Sequence, residues 1–286
     1  MKLKGEELWN PKVDGKPLNV ANATAMAEIE KVRCLIEWGE ALGKLRKVKF
    51  PEKVKKVLDD TEDALGILSM APLADGLKGR VDYFSALLSL QKGETGVAGK
   101  KFLNFVSSMP EHPLAPTALF EEARSWEEEN PQMARRRYQA VITQYKRSEK
   151  VADAMVRIGV LYSKEKKHEL AATALLKYLE MFPNSEIAPK VHYKIAQSYF
   201  HAAKAKGSDE LYQLAADKFI DLTKREGVAS SLRIPSFYFA GESLLGCNRM
   251  GAARASFEKL ILDWPESGWV KLARDRLNSK ALKKPK

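Results

Sequence analysis

Cysteine is nearly missing from the 286-residue chain, with only Cys34 and Cys247 near its two ends. That excludes a disulfide-dense scaffold and any CxxC zinc or redox site, and leaves room for one bridge at most. Both residues sit in apolar helical contexts, so both are expected to be buried structural thiols. No run of 18 apolar residues occurs, which excludes a spanning helix. The opening Met1–Pro11 segment has no apolar core, so no signal peptide is visible. The chain is expected to be cytoplasmic if Met1 is the natural start, and periplasmic if a signal sequence was removed. Glycine (17) and proline (13) are neither depleted nor enriched, which excludes collagen-like and low-complexity chains.

Catalytic signatures are equally scarce. The four histidines, His112, His168, His192 and His201, form no HExxH pair and lie near no cysteine, so no locally assembled metal site is expected. Convincing GxSxG and GxGxxG patterns are lacking. The segment Gly93-Glu-Thr-Gly-Val-Ala-Gly99-Lys-Lys fails as a phosphate loop, because five residues separate Gly93 from Gly99 and no Ser or Thr follows the lysine. It reads as a turn between helices. The expectation is a protein without catalytic residues, metal or cofactor.

The chain does have apolar substance, with 45% hydrophobic residues, and a formal charge of +11. Lys and Arg outnumber Asp and Glu by 10 to 7 over residues 1–50 and by 9 to 4 over 251–286, but only by 29 to 26 between. A nucleic-acid binder concentrates its basic residues on a recognition surface. Here the excess is terminal, which favours a solvated tail over an anionic partner. Arg135-Arg-Arg137 spans too wide an arc of a helix to form one patch and is expected to be solvated, with Glu127-Glu-Glu129 neutralising it.

A repeat dominates the sequence. A small residue, a bulky residue four later and further apolar residues seven to eleven later recur from Ala98 (Phe102, Phe105, Met109), Ala134 (Tyr138, Val141, Tyr145), Ala171 (Leu175, Tyr178, Phe182), Ala215 (Phe219, Leu222) and Ala253 (Phe257, Leu260, Trp264). The steps are 36, 37, 44 and 38 residues. Spacings of four and seven place these side chains on one helical face. Pro110, Pro183 and Pro265 close three of the helices, and the stretches 183–186 and 265–268 offer cap-type residues for the next one.

A second helix precedes each frame, over about 151–163, 187–200 and 236–245. Ala86, Gly159 and Gly241 stand twelve residues before their frame alanines, where two crossing helices need room. In the fourth unit the small residue is Ala196, and the seven extra residues are expected in a longer turn around 206–209. The second unit, around 114–129, has Glu122 at this position. Phe237-Tyr-Phe239 opens a helix after Pro235, and one of these rings must face away from the hairpin partner, a hint of binding.

Upstream, Met26, Ile29, Val32, Leu35, Ile36, Leu42, Leu45 and Val48 trace a helix over about 22–48. Val54, Val57, Leu58, Leu65 and Leu68 trace another, entered at Pro51 and left before Pro72. These two either cap the first repeat or dock onto a partner. The expected division is an extended arm over 1–21, a helical cap over 22–76, the repeats over 77–278 and a basic tail over 279–286.

Gly159 and Tyr162 followed by Ala171, Leu175 and Pro183 resemble the tetratricopeptide repeat. The endings at 181–188 and 263–269 are similar to those of the bacterial cell-envelope subgroup, which includes BamD-type assembly lipoproteins and the YbgF/CpoB coordinators of Tol-Pal. The resemblance implies an all-α fold: a right-handed α-solenoid of about five helix-turn-helix repeats with an N-terminal helical cap. It further implies a concave wall lined by the first helix of each pair, binding an extended peptide or a partner helix. Carried over by offset, the wall residues are Tyr83, Leu87, Val156, Val160, Tyr193, Gln197, Phe200, Tyr238 and Glu242. They suggest an apolar, aromatic-anchored partner segment, because the Asn and Lys with which chaperone-binding members clamp a terminal carboxylate are missing at these offsets. About half of these side chains are expected only to pack helix on helix. The resulting expectation is a non-enzymatic adaptor or assembly factor; the alternative is a constitutive structural subunit of a larger complex.

Overall fold

The five frame alanines are fully buried, and so, to within 1%, are the bulky residues that follow them: Phe102, Tyr138, Leu175, Phe219 and Phe257. A computed structural model describes residues 12–13, 16–17, 20–44, 51–279 and 282 of the chain. Among them are thirteen α-helices and a two-residue antiparallel strand pair, Lys12–Val13 with Lys16–Pro17. The fold is an all-α helical repeat. The rest of the expected arm and most of the expected basic tail lie outside the described residues.

The chain divides into two compact units, Met1–Val151 and Ala152–Lys286. In the first, α1 (Val20–Lys44) and α2 (Pro51–Met70) pack on each other and both pack on α3 (Asp75–Gln91). The series continues with α4 (Thr95–Ser108), α5 (Ala115–Ser125) and α6 (Pro131–Gln144), each packed on its predecessor. On α1 the buried stripe is Ala25, Ile29, Val32 and Ile36, and on α2 it is Val57, Thr61, Leu65 and Leu68. The side chain of Leu42, and Leu45 and Val48 entirely, lie outside the described residues. Cys34 falls off the stripe and is exposed, and Cys247 is only half-buried. Both thiols are free, which corrects the expectation of burial: an apolar neighbourhood in sequence does not fix which face a residue takes.

The second unit holds α7 (Lys150–Lys164), which starts at the boundary, then α8 (His168–Met181), α9 (Ala188–Lys206), α10 (Asp209–Lys224), α11 (Ser230–Gly246), α12 (Met250–Asp263) and α13 (Trp269–Leu277). Packing is sequential from α8 onward, and α11 also touches α9 and α13, so the first helices of successive pairs lie side by side. Residues from α7 and α9 line one cleft.

Local chemistry explains the turns. Gly93, Lys166 and Asn248 each stand five residues before a frame alanine and adopt φ of 83°, 59° and 60°. A left-handed residue ends the first helix and lets the second begin two residues later. Frame helices end at Met109, Phe182 and Trp264, whose φ of −137°, −130° and −139° suits a residue before proline. Tyr145 makes the same exit without a proline. Ser148, Ser185 and Ser267 each accept the backbone N–H two residues on, at 3.1, 3.3 and 3.3 Å. They therefore shape turns and are not the helix caps expected at 183–186 and 265–268.

Three departures are instructive. The seven extra residues of the fourth unit do not lengthen its turn, which is only Gly207 and Ser208. They extend α9 and α10 instead. Seven residues are about two helical turns, so the apolar phase survives. Next, α11 begins at Ser230 and runs through Pro235. Arg233 donates a 2.7 Å hydrogen bond to the Arg225 carbonyl and ties this early segment to the end of α10. Third, the second repeat is a proper hairpin although Glu122 occupies its crossing position. That carboxylate is 1% exposed, accepts the Trp126 indole N–H at 2.8 Å and pairs with Arg137 at 3.2 Å. Burial nonetheless pushes its pKa up. Arg135 and Arg137 are half-buried, leaving only Arg136 of the expected solvated run exposed.

The crossing points are tight. A Cβ on Gly159 would stand 2.6 Å from Leu175, and one on Gly241 2.5 Å from Phe257. Gly66 on α2 has nothing within 4 Å. Gly241→Ala is therefore expected to lower stability by about 1–3 kcal/mol through overpacking. Gly66→Ala should instead raise it by about 0.5–1 kcal/mol through helix propensity. Urea unfolding followed by circular dichroism checks both, and equal effects of the two would contradict this packing.

Candidate functional site

Burial and contacts sort the nine expected wall residues. Tyr83 is 7% exposed, with ring centroids 5.6, 5.8 and 6.2 Å from Phe84, Phe102 and Phe105. It belongs to the α3–α4 core and not to an open wall, which corrects that assignment. Leu87 and Val156 are half-buried.

The aromatic residues of the second unit are largely used by the stack itself. Tyr193 sets its edge on Phe219 at 5.7 Å; burial, partly offset by a hydrogen bond with Gln197, pushes its phenol up to about 12. Phe200 lies 5.5 Å from Phe239 and 6.1 Å from Tyr212. Phe239 stacks on Phe219 at 5.5 Å, and Phe237 contacts Trp264 at 5.3 Å. Tyr238 lies 5.2 Å from Trp269 and 5.7 Å from Phe257. Each ring of the 237–239 run therefore faces a neighbouring helix or turn, and no unspent aromatic is left as a binding hint.

Glu242 is also engaged. Two nitrogens of Arg276 on α13 reach its two carboxylate oxygens at 2.6 Å each. Burial pushes the Glu242 pKa up and Arg276 opposes the shift. Burial likewise raises the Tyr238 phenol, against a hydrogen bond with Arg276. This cluster ties α13 to α11.

Open surface remains between α7 and α9. A cleft of about 220 Å³ is lined by Val160, Ser163 and Lys164 from α7 and by Lys194, Gln197, Ser198 and His201 from α9, with Gly159 and Leu175 at its base. Two of the expected wall residues, Val160 and Gln197, meet here. The cleft combines an apolar floor with the basic side chains of Lys164, Lys194 and His201 where an apolar, aromatic wall was expected, because the rings are packed between helices. Lys164 lies one turn beyond Val160 and Lys194 one residue beyond Tyr193, so offsets carried over from a family pattern step past both. His201 sits 5.3 Å from His168, ring to ring, and burial, reinforced by His168 and Lys204, pulls its pKa down. Among the described residues no group of three or more His, Cys, Asp and Glu could hold a metal.

Arg276→Ala strips a mostly buried carboxylate of its counter-charge and should cost about 1–3 kcal/mol near pH 8. Without the arginine, burial outweighs the remaining pull of Lys204 on Glu242, so the folded state holds its proton more tightly than the unfolded state. The loss should therefore grow as pH rises above the ordinary carboxylate range and shrink toward pH 5. Urea unfolding at both pH values checks this; a loss independent of pH would contradict it.

The family described as tetratricopeptide repeat matches residues 153–185, which cover most of α7, all of α8 and the turn that follows. No curated protein matches the chain. Among solved structures, PilF of Pseudomonas aeruginosa is 14% identical, with 87% of this chain and 99% of that one covered and a TM-score of 0.49. The apo quorum sensor NprR of B. thuringiensis is 12% identical, with 90% and 82% covered and a TM-score of 0.47. BtubC of P. vanneervenii is 13% identical, with 92% and 94% covered and a TM-score of 0.46. Likeness at this level carries no argument about function. What the sequence itself carries is one unit, 153–185, similar to the tetratricopeptide repeat, and that unit contributes the α7 side of the cleft.

Proposed function

We propose that this protein is a non-enzymatic interaction scaffold that holds a segment of a partner protein against the first helices of its second unit. The observation that carries the reading is the α7–α9 cleft. It is bounded by the repeat that matches the tetratricopeptide family, and it is lined by side chains with polar ends. Helical repeats bury one face of each hairpin on its neighbours and leave the other faces as extended binding surface. In this unit the stacking consumes the aromatic rings and leaves Lys164, Lys194 and His201 exposed, with Gln197 half-buried among them. Specificity then comes from polar contacts set on an apolar floor of Val160 and Leu175. A role in assembling a cell-envelope complex is the finer version of this proposal and rests on the hairpin endings at 181–188 and 263–269.

Photo-crosslinking from position 197 in an extract of the native source is the direct test, with position 259 on the exposed side of α12 as control. The expected result is a protein adduct from 197 that is missing from 259 and that falls at least tenfold when Lys194→Glu is added. Adducts of equal yield from both positions, or from 259 alone, would overturn the proposal.

A further inference from the structure

The charge pattern of α9 is one-sided. Ala188–Lys206 contains Lys190, Lys194, Lys204 and Lys206, together with His192 and His201, and neither Asp nor Glu. Lys190, Lys194, Gln197, His201 and Lys204 follow one another at steps of four, three, four and three. That spacing places all five on one face, within about 80° of helical arc at about 100° per residue. The structure agrees: Lys190, Lys194, His201 and Lys204 are exposed and Gln197 is half-buried. Lys194, Gln197 and His201 open into the cleft toward α7, where Lys164 stands on the opposite bank.

The acidic groups around this face are engaged mainly by basic residues off the row. Glu242 on α11 is held by Arg276, and Glu169 at the start of α8 pairs with Lys206 at 2.5 Å, off the stripe. Glu165 pairs with Lys167 at 2.7 Å. Lys190 and Lys194 thus present ammonium groups with no ion pair to a carboxylate among the described residues, and Lys204 extends the row toward Glu242, whose charge Arg276 already answers. Burial, with His168 and Lys204 beside it, holds the His201 pKa down, so the positive charge of the row rests on its lysines.

We infer that the α7–α9 cleft recognises an acidic segment of its partner, an extended stretch with Asp or Glu at alternate positions whose carboxylates meet the lysine row of α9. The inference rests on the scaffold reading above and supplies its partner chemistry. The dimensions fit. From Lys190 to Lys204 the helix rises about 21 Å at about 1.5 Å per residue. Six or seven residues of extended chain, at about 3.3 Å each, span that length and turn every second side chain toward the same wall. A row of separate ammonium groups suits side-chain carboxylates spaced along a segment, and like charges so arranged reject basic partners.

The test uses the full chain and a fluorescein-labelled peptide of alternating Glu and Ser, read by fluorescence anisotropy. The matched Gln–Ser peptide, a Lys–Ser peptide and a short DNA duplex serve as comparisons. The expected result is saturable binding of the Glu peptide, weakened by added salt, with the Gln and Lys peptides at least tenfold weaker. The double change Lys190→Glu and Lys194→Glu should weaken it at least tenfold, while Lys177→Glu, an exposed lysine of α8, leaves it within twofold. Circular dichroism of each variant confirms that it is folded. Equal loss from Lys177→Glu would reduce the effect to net charge and overturn the inference. DNA binding more tightly through the same lysines would assign the row to nucleic acid and overturn it as well. Failure of the Glu peptide alongside a specific adduct from position 197 would sink the acidic partner and leave the scaffold standing; failure of both would remove the two together.

Discussion

The structure depends on how closely two helices can approach at the point where they cross. In four of the five hairpins predicted from the sequence, small residues stand where the first helix crosses the second, and a buried alanine starts each frame. Gly159 over Leu175 and Gly241 over Phe257 leave no room for a methyl group. Close approach lets a bulky side chain one turn on reach across the gap, and burying each such ring or leucine contributes about 1.5–3 kcal/mol. The second hairpin solves the same problem differently. There Glu122 enters the interface with its charge answered by Arg137 and its oxygen by Trp126, an arrangement that holds only while both partners stay in place.

The same packing decides what is left for function. Rings on the first helices are drawn between neighbours, as with Tyr238 between Trp269 and Phe257, or Phe239 against Phe219 and Phe200. What faces outward is set by helical phase and is mostly polar. On α9 that phase gathers the lysines. The binding chemistry proposed for the second unit is therefore electrostatic, with the aromatic network packed behind the charges.

Most of the fold was legible in the residues because the repeat is periodic and its physical meaning is local. The frame alanines, the bulky partner four residues on and the prolines after Met109, Phe182 and Trp264 all act within one hairpin. The lengthened α9 and α10 were read as a longer turn, since sequence shows an insertion of seven but not that two extra helical turns absorb it. The early start of α11 was hidden by Pro235, a local breaker overridden by packing on α10. Of the residues that line the α7–α9 cleft, Val160 and Gln197 were named by offset, while Lys164 and Lys194 were not. Their signal, an acid-free helix with basic residues at steps of four, three, four and three, was present but concerns one helix and not the repeat. The engagement of Tyr83, Tyr193 and Tyr238 was beyond reach, because which ring faces a neighbouring helix depends on how successive hairpins rotate.

The most direct measurement compares two neighbouring alanines of α12. Ala253 is fully buried at the crossing and Ala252 is exposed beside it, and leucine is a good helix former at either position. The account predicts that Ala253→Leu lowers the free energy of unfolding by about 1–3 kcal/mol while Ala252→Leu leaves it unchanged within about 0.5 kcal/mol. Equal stability of the two variants would contradict the claim that close helix approach at the frame alanine holds the repeat together.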